Sequence, residues 1–205
     1  MNAGEFFGAM FGPLRRLTDF SGRSTRSEFW PYFFLIFAVQ QLGGIFGGVS
    51  VFGQIERIAQ AQSSAADQAA AERMALDYFS GFVSSLFVVI VVAAVLTVAL
   101  LAAAITRRLH DTGRSGLWAL APVPFLIAGI FFMWRMFGLF DSAANVEPEG
   151  FLSSFILLLL NNLIYLGLII MVLVFCAQDG TIGPNRFGED PKGRDPANPP
   201  AAQPF

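Results

Sequence analysis

The chain has 205 residues, a formal net charge of -2, 55% hydrophobic and 14% charged residues, with 23 Phe, one Cys and one His. Soluble domains carry about 45–50% apolar and about 25% charged residues, so this balance excludes an ordinary soluble enzyme, a disordered chain, a collagen and a disulfide-stapled secreted module. With a mean hydropathy of +0.59 and a pI of 5.3, what remains is an integral membrane protein without the charge excess that would recruit nucleic acid.

Residues 1–30 read as a cytoplasmic interfacial segment. Phe6, Phe7, Met10, Phe11, Leu14 and Leu17 recur at three- and four-residue spacing, which predicts a short amphipathic helix broken at Gly12-Pro13. There is no compact apolar core followed by a small-residue cleavage site, so a signal peptide is not expected. A helix needs about 20 mostly apolar residues to cross the hydrocarbon layer, and four stretches qualify. The first covers 31–53, with Gln40 and Gln41 as its strongly polar residues; the second, 79–106, has no charge. The third, 117–137, is interrupted by Pro122 and Pro124 and carries Arg135 near its end; the fourth covers 151–177. Between the first two, 54–78 is rich in Ala, Gln and charge and reads as a partly helical periplasmic loop. Glu147, Pro148, Glu149 and Gly150 read as a polar turn, and the Pro-rich 191–205 as a disordered cytoplasmic tail. Residues 1–190 then form one membrane domain.

Lys and Arg near span ends stay on the cytoplasmic side. In a four-span arrangement the N-terminal segment, the 107–116 connection and the C-terminal tail share one side and hold ten basic residues, against Arg57, Arg73 and Arg135 opposite. The expected fold is therefore an all-α integral membrane protein, a four-helix transmembrane bundle with both termini cytoplasmic. Trp30 and Trp118 fall at the inner boundary, Tyr78 and Trp134 at the outer one, as an aromatic belt requires.

The spans hold no mid-membrane carboxylate, His or basic residue of the kind that ion-coupled transport uses. Their polar groups are Gln40, Gln41, Thr97, Asn161, Asn162 and Tyr165, suited to hydrogen bonds between helices or to lining the path of a small channel or transporter. Gly43, Gly44, Gly47 and Gly48 make two overlaid G-x-x-x-G patterns for close helix packing, within the chain or with a second copy. Cys176, at the inner end of the fourth span, reads as a small packing residue.

Three segments share the inner surface: Phe20 to Trp30 (FSGRSTRSEFW), Arg107 to Trp118 (RRLHDTGRSGLW) and Asp179 to Pro191 (DGTIGPNRFGEDP). These resemble, in order, the F-x-G-R-x-x-R-x-E-[FY]-W, R-R-L-H-D-x-G-x-S-G-W-W and G-x-x-G-x-N-x-[FY]-G-x-D-P motifs of the bacterial inner-membrane family called domain of unknown function 805. The resemblance runs from about Phe20 to Pro191, with Leu117 standing where the family commonly has Trp. It implies a small multi-span protein of the bacterial inner (plasma) membrane, and it brings no established reaction, ligand or catalytic residue.

The residues themselves add a physical reading. Arg23, Arg26, Glu28, Arg107, Arg108, His110, Asp111, Arg114, Ser115, Asn185 and Asp190 meet on one surface as a polar cluster. Guanidinium forks with glycine-exposed N–H groups suit phosphate oxygens, such as an anionic lipid headgroup or a phosphorylated small molecule. Equally, pairs such as Arg108–Asp111 and Arg26–Glu28 would simply clip the three segments together. His110 beside Asp111 and near Ser115 is the chain's sole imidazole, but neighbours in sequence rarely form a triad and no G-x-S-x-G elbow is present. We therefore expect no catalytic residue, no metal and no cofactor. The expected function is a non-enzymatic accessory or scaffold subunit engaging membrane lipids, another membrane protein or a second copy. The alternatives are a membrane-surface enzyme or headgroup-binding protein using Arg108, His110, Asp111 and Asn185, and a small channel or transporter.

Overall fold

A computed structural model describes residues 3–64, 68–141 and 148–195; within it, the side chains of 46–52, 54, 55, 58, 61–64, 68, 69, 71, 137, 139–141, 148 and 149 lie outside the described set. Among the described residues the protein is helical: α1 (Ala3–Phe11), α2 (Arg26–Ser64), α3 (Gln68–Asp111), α4 (Val123–Asp141) and α5 (Pro148–Ala177). Single 3-10 turns cover Gly12–Arg16 and Gly116–Leu120. No strand forms among these residues, and an isolated bridge joins Asn185 to Gly188.

Three stretches, Glu72–Asp111, Gly116–Met136 and Gly150–Ala177, are long and apolar enough to cross a membrane. Their surfaces show why. Val88, Val92, Val95 and Leu96 on α3, and Leu159, Leu163 and Leu166 on α5, are 48–61% exposed, far more apolar surface than a soluble monomer presents to water. The first expected span, 31–53, lies inside α2.

Element boundaries bear on the sequence reading in four places. The 54–78 stretch is helical wherever it is described, because α2 runs on to Ser64 and α3 starts at Gln68; its Ala, Gln and Glu are good helix formers that extend the apolar helices without interruption. The third stretch is interrupted at its prolines, as expected: the 3-10 turn ends at Leu120 and α4 starts at Val123, and the prolines sit at the new helix start, where a missing N–H costs nothing. Pro148–Gly150 likewise open α5 rather than form a turn, while Glu147 lies outside the described residues. At the start of the 191–205 segment, Arg194 Nε donates to Asp190 at 2.8 Å, while 196–205 lie outside the described residues.

The chain forms two compact units. One comprises Met1–Phe37, Leu96–Leu126 and Leu163–Phe205, the other Ala38–Val95 and Ile127–Asn162. The first has a small apolar core of Phe29, Tyr32, Ile36, Leu101, Ala104, Leu109, Val172 and Cys176, and the Tyr32 hydroxyl donates to the Leu100 carbonyl at 2.8 Å. In the second, Gln40 Nε2 donates to the Ala93 carbonyl at 3.1 Å, joining α2 to α3, and Asn161 is buried with its Nδ2 where a Cβ on Gly129 of α4 would touch it.

Candidate functional site

All three motif segments lie in the first unit, and local sequence chemistry fixes each of them. Thr25 and Glu28 form a reciprocal N-cap for α2: Thr25 Oγ1 accepts from the Glu28 N–H at 3.3 Å, and Glu28 Oε2 accepts from the Thr25 N–H at 3.0 Å. This is the capping box of a T-x-x-E sequence. Glu28 is therefore committed to the helix start, and the Arg26–Glu28 pair does not form. Arg26 instead pairs with Asp179 and donates to the Ala177 carbonyl at 3.3 Å.

At the C-terminus of α3, Gly113 takes φ +75°. The Gly113 N–H bonds the His110 carbonyl at 3.0 Å and the Arg114 N–H the Leu109 carbonyl at 2.9 Å, the two bonds of a Schellman cap. The helix stops there with Arg107, Arg108 and Asp111 on its last turn, all at most 3% exposed.

Asp111 is the hub. One carboxylate oxygen accepts from Arg23 Nε at 3.0 Å and the other from Arg108 Nη1. Side-chain exposures of 1% for both arginines and 3% for Asp111 make this a buried charge triad. Each guanidinium also donates to backbone carbonyls. Arg23 donates to Gly183 at 2.7 Å and Thr181 at 2.6 Å. Arg108 donates to Cys176 at 2.8 Å, Ser24 at 3.2 Å and Gln178. Arg107 reaches back to the carbonyls of Arg16, at 2.9 Å, and Asp19. The backbone closes the same seam: the Thr181 N–H meets the Asp111 carbonyl at 2.9 Å, and the Ser24 N–H the Arg107 carbonyl at 3.1 Å.

The segment after α5 is organised by Asp190 and Asn185. Asp190 accepts from the Gly183 N–H at 3.2 Å, the Lys192 N–H at 2.9 Å and Arg194 Nε at 2.8 Å. Burial pushes its carboxyl pKa up, but Arg194 and the two N–H groups outweigh that and hold it below the ordinary value. Asn185 Oδ1 accepts from the Phe187 N–H at 2.9 Å, and its Nδ2 donates to the His110 carbonyl at 3.0 Å.

His110 does not join a triad. Its Nδ1 donates to the Gly22 carbonyl at 3.1 Å, which places the proton on Nδ1, and its ring stacks on Phe187 at 3.8 Å and 3°. Asp111 points to the arginines, and Ser115 Oγ caps the next turn by accepting from the Leu117 N–H at 3.3 Å. Arg114 covers the face of Phe175 at 4.2 Å, while Arg186 lies over Phe187 at 4.6 Å. Among the described residues no buried side-chain nitrogen or oxygen lacks a partner, and no three His, Cys, Asp or Glu side chains are grouped to hold a metal.

The structure thus brings together Arg23, Arg107, Arg108, Asp111, Asn185 and Asp190, with Arg26, Arg114 and Ser115 at the margin. Sequence reasoning missed Thr25, Thr181, Phe187 and Arg194. The T-x-x-E spacing was a legible signal for Thr25; contacts between the three segments have no local signature. Of the glycines expected to pack helices, Gly43 and Gly44 face open space within this chain, and the surroundings of Gly47 and Gly48 lie outside the described residues. Gln41 and Asn162 are exposed.

A family model described as Protein of unknown function (DUF805) matches residues 17–189. No curated protein and no solved structure matches the chain.

Proposed function

The chain belongs to the DUF805 family, and from that premise we propose that it is a non-enzymatic accessory or scaffold protein of the bacterial inner membrane, with four spans and cytoplasmic termini. In this reading the arginine–aspartate cluster is a lock. It ties the entrance of α2, the end of α3 and the exit of α5 together beneath the bilayer.

The observation that carries the reading is the saturation of the cluster. The Asp111 carboxylate is occupied by two arginines, whose other bonds go to backbone carbonyls. To reach Arg23 or Arg108 a phosphate would have to break buried charge-assisted bonds, each worth about 1.5–3 kcal/mol. The surface left for partners is therefore the exposed apolar helix faces, where association rests on packing and hydrogen bonds between spans. The first helix fits the same picture. Phe6, Phe7 and Phe11 on α1 are 37–57% exposed, and Arg107, directly after the charge-free stretch 79–106, holds the carbonyls of Arg16 and Asp19. That tether supports a reading in which α1 lies at the lipid interface, where an aromatic face is stabilised.

Purification in native lipid, followed by mass spectrometry, tests the lock. Wild type and an Arg26→Ala, Arg186→Ala variant, altered at the cluster's margin, are expected to retain the same lipids and the same stoichiometric protein partner. A specific phospholipid or phosphorylated metabolite, present with wild type and lost from the folded variant, would make the cluster a binding site and overturn the reading.

Orientation has its own test. A cysteine at Met74, which is 47% exposed, is expected to react with an impermeant maleimide in intact spheroplasts, and one at Lys192 only after lysis. The opposite pattern inverts the topology. Cys176 is fully buried and does not interfere.

A further inference from the structure

We propose that Asn162 is a docking point for a second copy of this chain, pairing with its own counterpart across a two-fold axis within the membrane. The apolar stretch Gly150–Ala177 puts Asn162 twelve residues from one end and fifteen from the other. At about 1.5 Å per residue that is roughly 18 and 22 Å, so the side chain falls near the middle of a hydrocarbon layer about 30 Å thick. Its neighbour Asn161 turns inward and is 7% exposed. Asn162 turns outward and is exposed.

The outward carboxamide is only partly satisfied. Nδ2 donates to the Leu158 carbonyl at 2.9 Å, while Oδ1 and the second N–H have no partner among the described residues. No water is available at that depth, and unmet polar groups in hydrocarbon are costly. Phe155 and Leu159 share the face at helical spacing and are 45% and 48% exposed, so the amide stands in an otherwise apolar stripe. A carboxamide carries both a donor and an acceptor, and two of them related by a two-fold axis pair reciprocally. A C2 contact sets the same patch against itself, which makes an identical chain the partner this single amide fits. One polar residue within an apolar seam is also a device that fixes register between helices.

The proposal rests on the membrane-spanning reading, and the experiment separates the two. Full-length protein would first be checked for resistance to alkaline carbonate extraction; release from the membrane would refute the spanning reading. Protein that stays would be labelled and reconstituted into phosphatidylethanolamine–phosphatidylglycerol vesicles, and its self-association read by energy transfer at increasing dilution in lipid. The wild type is expected to dimerise. N162L is expected to lose about tenfold in association, equivalent to about 1.4 kcal/mol, and N162Q to keep most of it. A cysteine at Leu159 is expected to cross-link between copies, and one at Leu160, on the opposite side of α5, is not. A membrane-embedded wild type that stays monomeric overturns the proposal, as does cross-linking only to a different protein. So does a dimer that persists in N162L, which leaves the exposed amide of Gln41 in place.

Discussion

Asp111→Ala is expected to destabilise the protein by about 3–5 kcal/mol, the usual consequence of removing one member of a buried ion pair. The substitution leaves Arg23 and Arg108, each 1% exposed at the side chain, as two guanidinium charges facing each other without an anion. Asp111→Asn keeps the shape but not the charge and is expected to lose most of the same stability. The measurement is a denaturation midpoint in lipid nanodiscs, read from the release of α5 and the tail, for example by proteolysis near Lys192. A midpoint unchanged in Asp111→Ala would show that the triad locks nothing. Apolar replacement of the whole triad, which rescues some buried ion clusters, is not expected to help here. Arg108 also satisfies the carbonyls of Cys176, Ser24 and Gln178, and those acceptors would be orphaned.

Gly180→Ala is the second large effect. A Cβ at Gly180 would overlap the Asp111 carboxylate, which cannot swing away because Arg23 and Arg108 hold both its oxygens. Overpacking of this kind costs about 1–3 kcal/mol and occasionally more, and here it also forces the charge triad apart. Gly43→Ala is the matched control. Gly43 lies within α2 and a Cβ there meets nothing within 4 Å, so its stability is expected to hold or to rise by about 0.5–1 kcal/mol, as for other helical glycines replaced by alanine. Equal losses from the two substitutions would show that crowding at Asp111 is not the cause.

The Arg108–Asp111 contact was legible in sequence, because residues three apart on one helix face each other. The rest of the cluster was not. Arg26 had an acidic neighbour two residues on, yet it pairs with Asp179, 153 positions away, since Glu28 is held by the N-cap. His110, Asp111 and Ser115 lie within six residues of one another, but each is bound elsewhere. Only the folded chain places the Gly22 carbonyl against His110 and Arg23 against Asp111.

The sequence by itself determined what depends on short windows of composition: the helical class, the long apolar stretches, the family motifs, and the residue types of the polar surface. Burial in lipid is a property of roughly twenty consecutive side chains and is read without knowing the fold. Tertiary structure decided which arginine meets which carboxylate, which way each of the paired asparagines turns, and that the cluster is closed on itself. The closing of the cluster depends on partners 68 to 165 residues apart, which no local pattern encodes. A buried charge is tolerated only where the whole fold delivers its counter-charge and hydrogen bonds to one point.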